Sequence, residues 1–562
     1  MQEAWWKKSV VYQIYPKSFR DTTGNGVGDI QGIIERLDYL KELGVDVLWL
    51  TPIYASPQKD NGYDISDYFS IHPEYGTMED FEQLLEEAHQ RDLKIIMDIV
   101  INHTSTDHKW FQESRKSMDN AYRDYYIWKD GKNNGPPTNW QSKFGGNAWE
   151  FDEKTKQYYL HLFDVTQADL NWENEHVRTA VYDMMKFWLD KGVDGFRLDV
   201  INLISKDQRF PDDDGSVAQG DGRKFYTDGP RVHDFMHEMN EVVFKGHQTL
   251  TVGEMSSTTI EDCIKYTNPN GEELDMTFNF HHLKVDYPNG EKWTKADFDF
   301  QQLKQILSKW QVEMHRGGGW NALFWCNHDQ PRIVSRFGDD QEYHRESAKM
   351  LATTIHMMQG TPYIYQGEEF GMTNPGFDSI EKYRDVESLN MYKMKKEEGM
   401  DEAEILEILK QKSRDNSRTP VQWNDSKHAG FSDGTPWIEE APNYKTINAR
   451  QALKDKSSIF YHYQALISLR KKYQVITDGD FKMLSFDDPN IFAYIRENDR
   501  EQLLVVNNFY AQQVDFTLPT DSGITEKQGE MLLSNYPDAT RDTHDMTLRP
   551  YESRILYIKK DK

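Results

Sequence analysis

The chain has 562 residues, with 66 Lys and Arg against 93 Asp and Glu, for a formal net charge of −27. That excess excludes a general nucleic-acid binder, which needs surplus cations on one face, and excludes docking on an anionic membrane. With 28% charged and 13% aromatic residues, a mostly disordered chain is excluded too. A small anionic ligand held by a few local cations stays compatible. Two cysteines, Cys263 and Cys326, cannot build a disulfide framework or a zinc cluster. No apolar run reaches membrane-span length, and no apolar signal core follows Met1–Lys8. A soluble, cytoplasmic, monomeric protein is expected.

Val10–Tyr15 is the first short apolar run. A helix is predicted over Gly32–Leu43, where Ile33, Ile34, Leu37, Leu40 and Leu43 share a face and Gly44 caps the end. Val45–Leu50 is the second run, and the next helix carries Phe81, Leu84, Leu85 and Ala88. Leu93–Ile101 is nearly all apolar, as a parallel strand buried on both faces should be. Residues 104–173 break the rhythm; they are rich in Trp, Tyr, Asn, Asp and Gly and read as an excursion. A helix over Val177–Asp190 restores it. Runs follow at Val193–Val200, Leu250–Gly253, Leu274–Phe280, Ala322–Cys326 and Pro362–Tyr365.

Eight strands alternating with helices predict an α/β fold of the (β/α)₈ TIM-barrel type. No Gly-rich phosphate fingerprint follows the first strand, which argues against a doubly wound sheet. Residues 374–460 form a second excursion, with a charged helix over Asp401–Lys412. From residue 480 short strands take over, at Ile491–Ile495, Leu503–Val506, Met531–Leu533 and Ile555–Ile558. The expected organisation is a barrel in two parts, 1–103 and 174–479. An inserted domain occupies 104–173, and an antiparallel β-sandwich domain occupies 480–562.

A barrel places its active site at the carboxyl ends of its strands. The third run ends in Asn102-His103, the fourth in Arg197-Leu198-Asp199, the fifth in Glu254 and the seventh in Asn327-His328-Asp329. Arg197 and Asp199 are two apart and face the same way. The cation should keep Asp199 ionised, as a nucleophile requires; a structural ion pair is the alternative. Glu254, if desolvated near another carboxylate, rises in pKa and can donate a proton. One ionised carboxylate and one protonated carboxyl are what retaining glycoside hydrolysis needs. No Ser elbow or Cys/His pair competes for this role.

Asp98–His103 (DIVINH), Gly195–Asp199 (GFRLD), Val252–Glu254 (VGE) and Asn327–Asp329 (NHD) resemble, in order, the signature regions of the α-amylase family of glycoside hydrolases. Gln167–Asn171 (QADLN) resembles a fifth. The resemblance spans the whole chain. It implies a catalytic barrel, a small domain inserted after the third strand and a C-terminal β domain. It also implies Asp199 as nucleophile, Glu254 as acid/base and Asp329 as the third carboxylate. Asp60, Tyr63, His103, Arg197, His328 and Arg414 would then line the pocket for the released sugar. Phe144 and Phe163 either join them or serve packing.

Within the family, Trp6-Lys7, Val11–Ser18, Asp60–Asp64 and Ser413–Trp423 resemble the oligo-1,6-glucosidase-like branch. Val200, after the nucleophile, fits members acting on bonds other than α-1,4. Thr251–Thr259, His281–Trp293 and Asn321–Arg332 resemble members that cleave a phosphorylated α,α-1,1-linked disaccharide. The alternative is an oligo-1,6-glucosidase acting on isomaltose or dextran ends. A phosphate beyond the scissile bond needs local cations, and His281, His282 and Lys284 follow the sixth strand. Lys284 offers a point charge, His282 a further donor, and Lys292 another cation.

Asp21, Thr23, Asn25, the Val27 carbonyl and Asp29 alternate along a Gly-rich loop and suit Ca²⁺ or Mg²⁺; a plain turn is the alternative. Such a metal would be structural, and no cofactor is needed for the chemistry.

Overall fold

The computed structural model describes residues 4–216 and 220–560. Eight parallel strands form the central sheet: β1 (Val11–Ile14), β2 (Val47–Leu50), β3 (Lys94–Ile99), β4 (Gly195–Leu198), β5 (Leu250–Glu254), β6 (Met276–Phe278), β7 (Ala322–Leu323) and β8 (Thr361–Tyr365). They pair in the order β6-β5-β4-β3-β2-β1-β8-β7. A parallel bridge between Thr277 and Asn321 brings the two ends together, so the barrel is nearly closed. Every predicted run supplies one strand. Helices cover the outside, so the strands are buried on both faces, which explains their apolar continuity.

The helix predicted over Gly32–Leu43 is two helices, Ile30–Ile34 and Leu37–Leu43. Arg36 leaves helical geometry at the junction, and its guanidinium lies over the Trp423 ring at 4.4 Å. Asp29 caps the first helix through the Gly32 amide. Gly44 ends the second at φ +97°, a left-handed cap suited to glycine.

After β3 the chain leaves the barrel. His103–Ser105 pairs with Gln167–Asp169 at the base of this excursion. Between them, Trp128–Lys129, Trp149–Asp152 and Gln157–Leu160 form a three-stranded antiparallel sheet. Its core, with Trp140, Trp149, Leu160 and Leu162, packs on Val200 and Leu203 from the segment after β4. The excursion therefore sits against the strand end that carries Asp199.

The C-terminal part holds a five-stranded antiparallel sheet of Asp480–Leu484, Ile491–Glu497, Glu501–Asn508, Ser553–Lys559 and Glu530–Ser534, in that spatial order. A second pair, Val514–Thr517 and Asp545–Leu548, packs on it. Asp480–Leu484, Val514–Thr517 and Asp545–Leu548 escape the sequence reading because polar or exposed residues interrupt them. Buried side chains tie this part to the barrel. Arg496 donates to the carbonyls of Met357 and Ile476, each at 2.9 Å, and Tyr494 Oη donates to Thr354 O at 2.8 Å. Among the described residues, no helix is long and apolar enough to cross a membrane.

Candidate active site

The strand ends place their polar residues around one cavity of about 260 Å³. Asp60, Tyr63, His103, Phe144, Phe163, Asp199, Glu254, Asp329 and Arg414 all line it. Arg197 lies just beneath, 1% exposed. Its Nη1 reaches Asp199 at 2.6 Å and Asp98 at 2.8 Å, and its Nη2 reaches Glu254 at 2.7 Å.

One cation thus serves three buried carboxylates. Arg197 pairs with Asp199 as the sequence predicts, and with two further carboxylates that the strand pattern did not show. Burial raises the Asp199 carboxyl well above the usual range; Arg197 pulls it down, but Glu254 and Asp98 push it up again. Burial also pushes Asp98 up to about 6 against the pull of Arg197. Asp199 and Glu254 are close enough to hydrogen-bond each other.

Asp329 is different. Burial would raise it, but His328, Arg414 and Arg418 together hold it well below the usual carboxylate range. Arg418 lies 2.8 Å from it and Arg414 3.3 Å. Asp385, fully buried, fixes Arg414 at 2.6 Å, and Arg414 in turn reaches Asp60 at 2.9 Å. Burial nevertheless pushes Asp60 up to about 6.

His328 is sequestered and neutral; burial pushes it down to about 3. The Gln13 amide donates to its Nδ1 at 2.8 Å, and its ring stacks on Tyr63 at 5.0 Å. Nε2 then carries the proton; it lies 3.3 Å from Asp329 Oδ2 and makes no hydrogen bond among the described residues. Burial pushes His103 down to about 4, and its Nε2 lies 3.2 Å from the Tyr63 carbonyl. Phe144 stacks under Arg414 at 4.9 Å, and Phe163 packs on His103.

Five acids line this cavity, Asp60, Asp199, Glu254, Asp329 and Glu387, beside polar groups and aromatic rings, and a retaining glycosidase needs two such carboxyls across the scissile bond. Residues 13–479 match the family described as alpha amylase, catalytic domain, and residues 491–555 match the alpha-amylase SusG C-terminal domain. The chain belongs to the alpha-amylase family. It is 67% identical over 560 residues to trehalose-6-phosphate hydrolase of Bacillus subtilis, covering 100% of this chain and 99% of that one. It is 54% identical to oligo-1,6-glucosidase of Parageobacillus thermoglucosidasius, covering 100% of both. The crystal structure of Bacillus licheniformis trehalose-6-phosphate hydrolase superposes with a TM-score of 0.95 at 67% identity, covering 99% of this chain and 100% of that chain.

Against this alpha-amylase family frame, two expected phosphate ligands change. His282 does not reach the cavity. It is buried behind it, with Nε2 2.7 Å from the Phe324 carbonyl, and burial pushes it down to about 4. Lys292 does line the cavity, but Glu387 holds its ammonium at 2.7 Å. Lys284 lines the cavity and has no ion-pair partner among the described residues. His281 packs on Trp310.

Sequence reasoning missed Asp98, Asp385, Glu387, Arg418, Gln167 and Lys143. Asp98 opens the DIVINH segment, and its position on a strand pointed to it. Arg418 follows Arg414 by one helical turn. Gln167 opens the QADLN segment, and nothing local marks Asp385, Glu387 or Lys143.

In the Asp21–Asp29 loop the two carboxylates accept hydrogen bonds from the turn itself, Asp21 from the Thr23, Gly24 and Gly26 amides and Asp29 from the Thr22 and Gly32 amides. Asp21 Oδ2 accepts from the Gly26 amide at 2.7 Å, and Asn25 Oδ1 accepts from the Val27 amide at 2.8 Å. The Thr23 hydroxyl donates to Asp21 Oδ1 at 3.1 Å. Gly26 sits at φ +86° against the Thr435 carbonyl, where no Cβ fits. Acidic first and last ligands and a glycine at the sharp turn fit a hard cation. The loop contributes none of the three acids.

Proposed function

We propose that the chain hydrolyses trehalose 6-phosphate to glucose and glucose 6-phosphate with retention of configuration. The observation that carries this reading is the polarity of the cavity. Its lining holds Asp199, Glu254 and Asp329 and also Lys284, a cation without a carboxylate partner among the described residues. The names of the most similar relatives support the same substrate.

In this reaction Glu254 protonates the glycosidic oxygen, and Asp199 attacks the anomeric carbon to form a glucosyl ester. Glucose 6-phosphate leaves. Glu254 then takes a proton from water, which releases glucose. Arg197, 2.6 Å from Asp199, compensates the charge of the nucleophile. His328 Nε2 and Arg414 are positioned to donate to sugar hydroxyls, and Asp329 stabilises the cationic sugar in the transition state.

The test is turnover on trehalose 6-phosphate, trehalose and isomaltose, with the anomer of released glucose followed by NMR. Preference for the phosphate ester by at least tenfold, with α-glucose released first, is expected. Preference for isomaltose overturns the substrate, and β-glucose overturns the mechanism. The Asp21–Asp29 loop holds a structural Ca²⁺ or Mg²⁺ in this reading. Cys263 and Cys326 are unpaired and buried, which suits a reducing cytoplasm.

A further inference from the structure

A phosphate carrying close to two negative charges needs more than one cation. Lys292 is neutralised by Glu387, and Arg223 is neutralised by a two-point pair with Asp221 at 2.9 and 2.6 Å. Two ammonium groups in the cavity wall have no carboxylate partner among the described residues: Lys284, after β6, and Lys143, from the excursion after β3.

Lys143 is half-buried, and its Nζ donates to Ser256 Oγ at 3.3 Å. Burial and the neighbouring Arg223 and Lys284 charges push it down to about 8, against the weaker opposing pull of Asp221 and Asp169, so cations are crowded here. Crowded cations that cost stability in the empty site are stabilised when an anion arrives.

The hydroxyl partner is placed with care. Ser256 lies two residues after Glu254. Asn202 grips it from both sides, accepting from the Ser256 amide at 2.9 Å and donating to the Ser256 carbonyl at 2.9 Å. Ser257, next along, sits at φ +54° and lines the same cavity. Left-handed backbone at a non-glycine residue stores strain, and it is retained here at the cavity wall.

We propose that Lys143 is a second phosphate-binding cation, which together with Lys284 and the Ser256 and Ser257 hydroxyls grips the phosphate of the leaving group. This rests on the phosphate-ester reading above and extends it to the inserted segment. Because Ser256 follows the acid/base residue on the same strand end, the phosphate grip and the proton donor keep a fixed spacing. The inserted segment then contributes to substrate choice as well as to the wall.

The test compares Lys143→Met, Lys143→Gln, Lys143→Arg and Lys284→Met with wild type. Substrates are trehalose 6-phosphate, trehalose and 4-nitrophenyl α-glucoside, and inorganic phosphate is the competing probe. Folding is checked by circular dichroism. For Lys143→Met and Lys143→Gln, kcat/KM on the phosphate ester should fall at least tenfold more than on the nitrophenyl glucoside, mostly through KM. The inhibition constant of inorganic phosphate should rise at least fivefold, and Lys143→Arg should recover most of the loss. Equal losses on both glucosides, or unchanged phosphate inhibition, overturn the role of Lys143. If Lys284→Met loses the preference for phosphate while Lys143→Met keeps it, this inference fails and the substrate reading stands. If wild type treats trehalose and its phosphate alike, the substrate reading itself fails.

Discussion

Arg197 Nη2 lies 2.7 Å from Glu254 Oε2, so the acid/base residue is tethered to the guanidinium that also holds the nucleophile. Three carboxylates share one buried cation, and burial together with the neighbouring Glu254 and Asp98 raises the Asp199 carboxyl against the pull of Arg197.

Arg197→Gln should therefore damage both chemistry and stability. Activity should fall by about 10²–10³ or more in kcat, the usual scale for a lost electrostatic stabiliser. Unfolding stability should fall by about 3–5 kcal/mol, since buried carboxylates lose their partner. Stopped kinetics and urea melts read the two effects separately.

Glu254→Gln removes the proton donor but not the nucleophile. Hydrolysis of the natural ester should drop by about 10²–10⁴-fold. Substrates with an acidic leaving group need no proton and should still form the glucosyl ester. Added azide should then restore turnover and give α-glucosyl azide. Absence of rescue would count against the assigned role.

Glu387→Gln tests the Lys292 pair. It removes a negative charge from the cavity wall and frees the Lys292 ammonium. KM for the phosphate ester should fall by about fivefold, roughly 1 kcal/mol of relieved repulsion. An unchanged or higher KM, with normal folding, would show that Lys292 and Glu387 do not sense the phosphate.

His282 gives a pH signature. Its folded pKa of about 4 is depressed by burial, below the unfolded value near 6.5. The unfolded chain takes up the proton first, so this group destabilises the fold as pH drops from about 6.5 towards 4. His282→Gln keeps an amide donor for the Phe324 carbonyl and cannot titrate. Its melting temperature should decline less between pH 7 and 5 than that of wild type; a parallel decline would refute the assignment.

The Asp21–Asp29 loop should respond to divalent cations without touching the chemistry. Adding Ca²⁺ to chelated protein should raise the melting temperature by a few degrees, and Asp21→Asn should abolish the rise. A kcat that depends on the ion at saturating stability would contradict a structural role.

The barrel was legible because its strands are buried on two sides, which forces apolar runs such as Leu93–Ile101 that no turn or surface helix imitates. The acids were legible because strand ends are where polarity must appear. What stayed hidden are pairings over long sequence distances. Lys292 reads as an unpaired cation for the phosphate because its partner Glu387 lies 95 residues away. Arg414 meets Asp60 across 354 residues. His282 reads as a donor near the site, and only the packing of Phe324 shows that its ring faces the core. Ionisation was the least legible property, since the state of Asp199 depends on how many carboxylates share Arg197.

Arg496 and Tyr494 reach from the C-terminal sheet into carbonyls of the barrel at Met357, Ile476 and Thr354. Cutting the chain at residue 479 would strip those carbonyls of their donors and leave the apolar underside of helix Phe300–Gly317 uncovered. The last eighty residues are thus no portable cassette. Recombination between relatives should succeed only when barrel and sheet are inherited from the same parent.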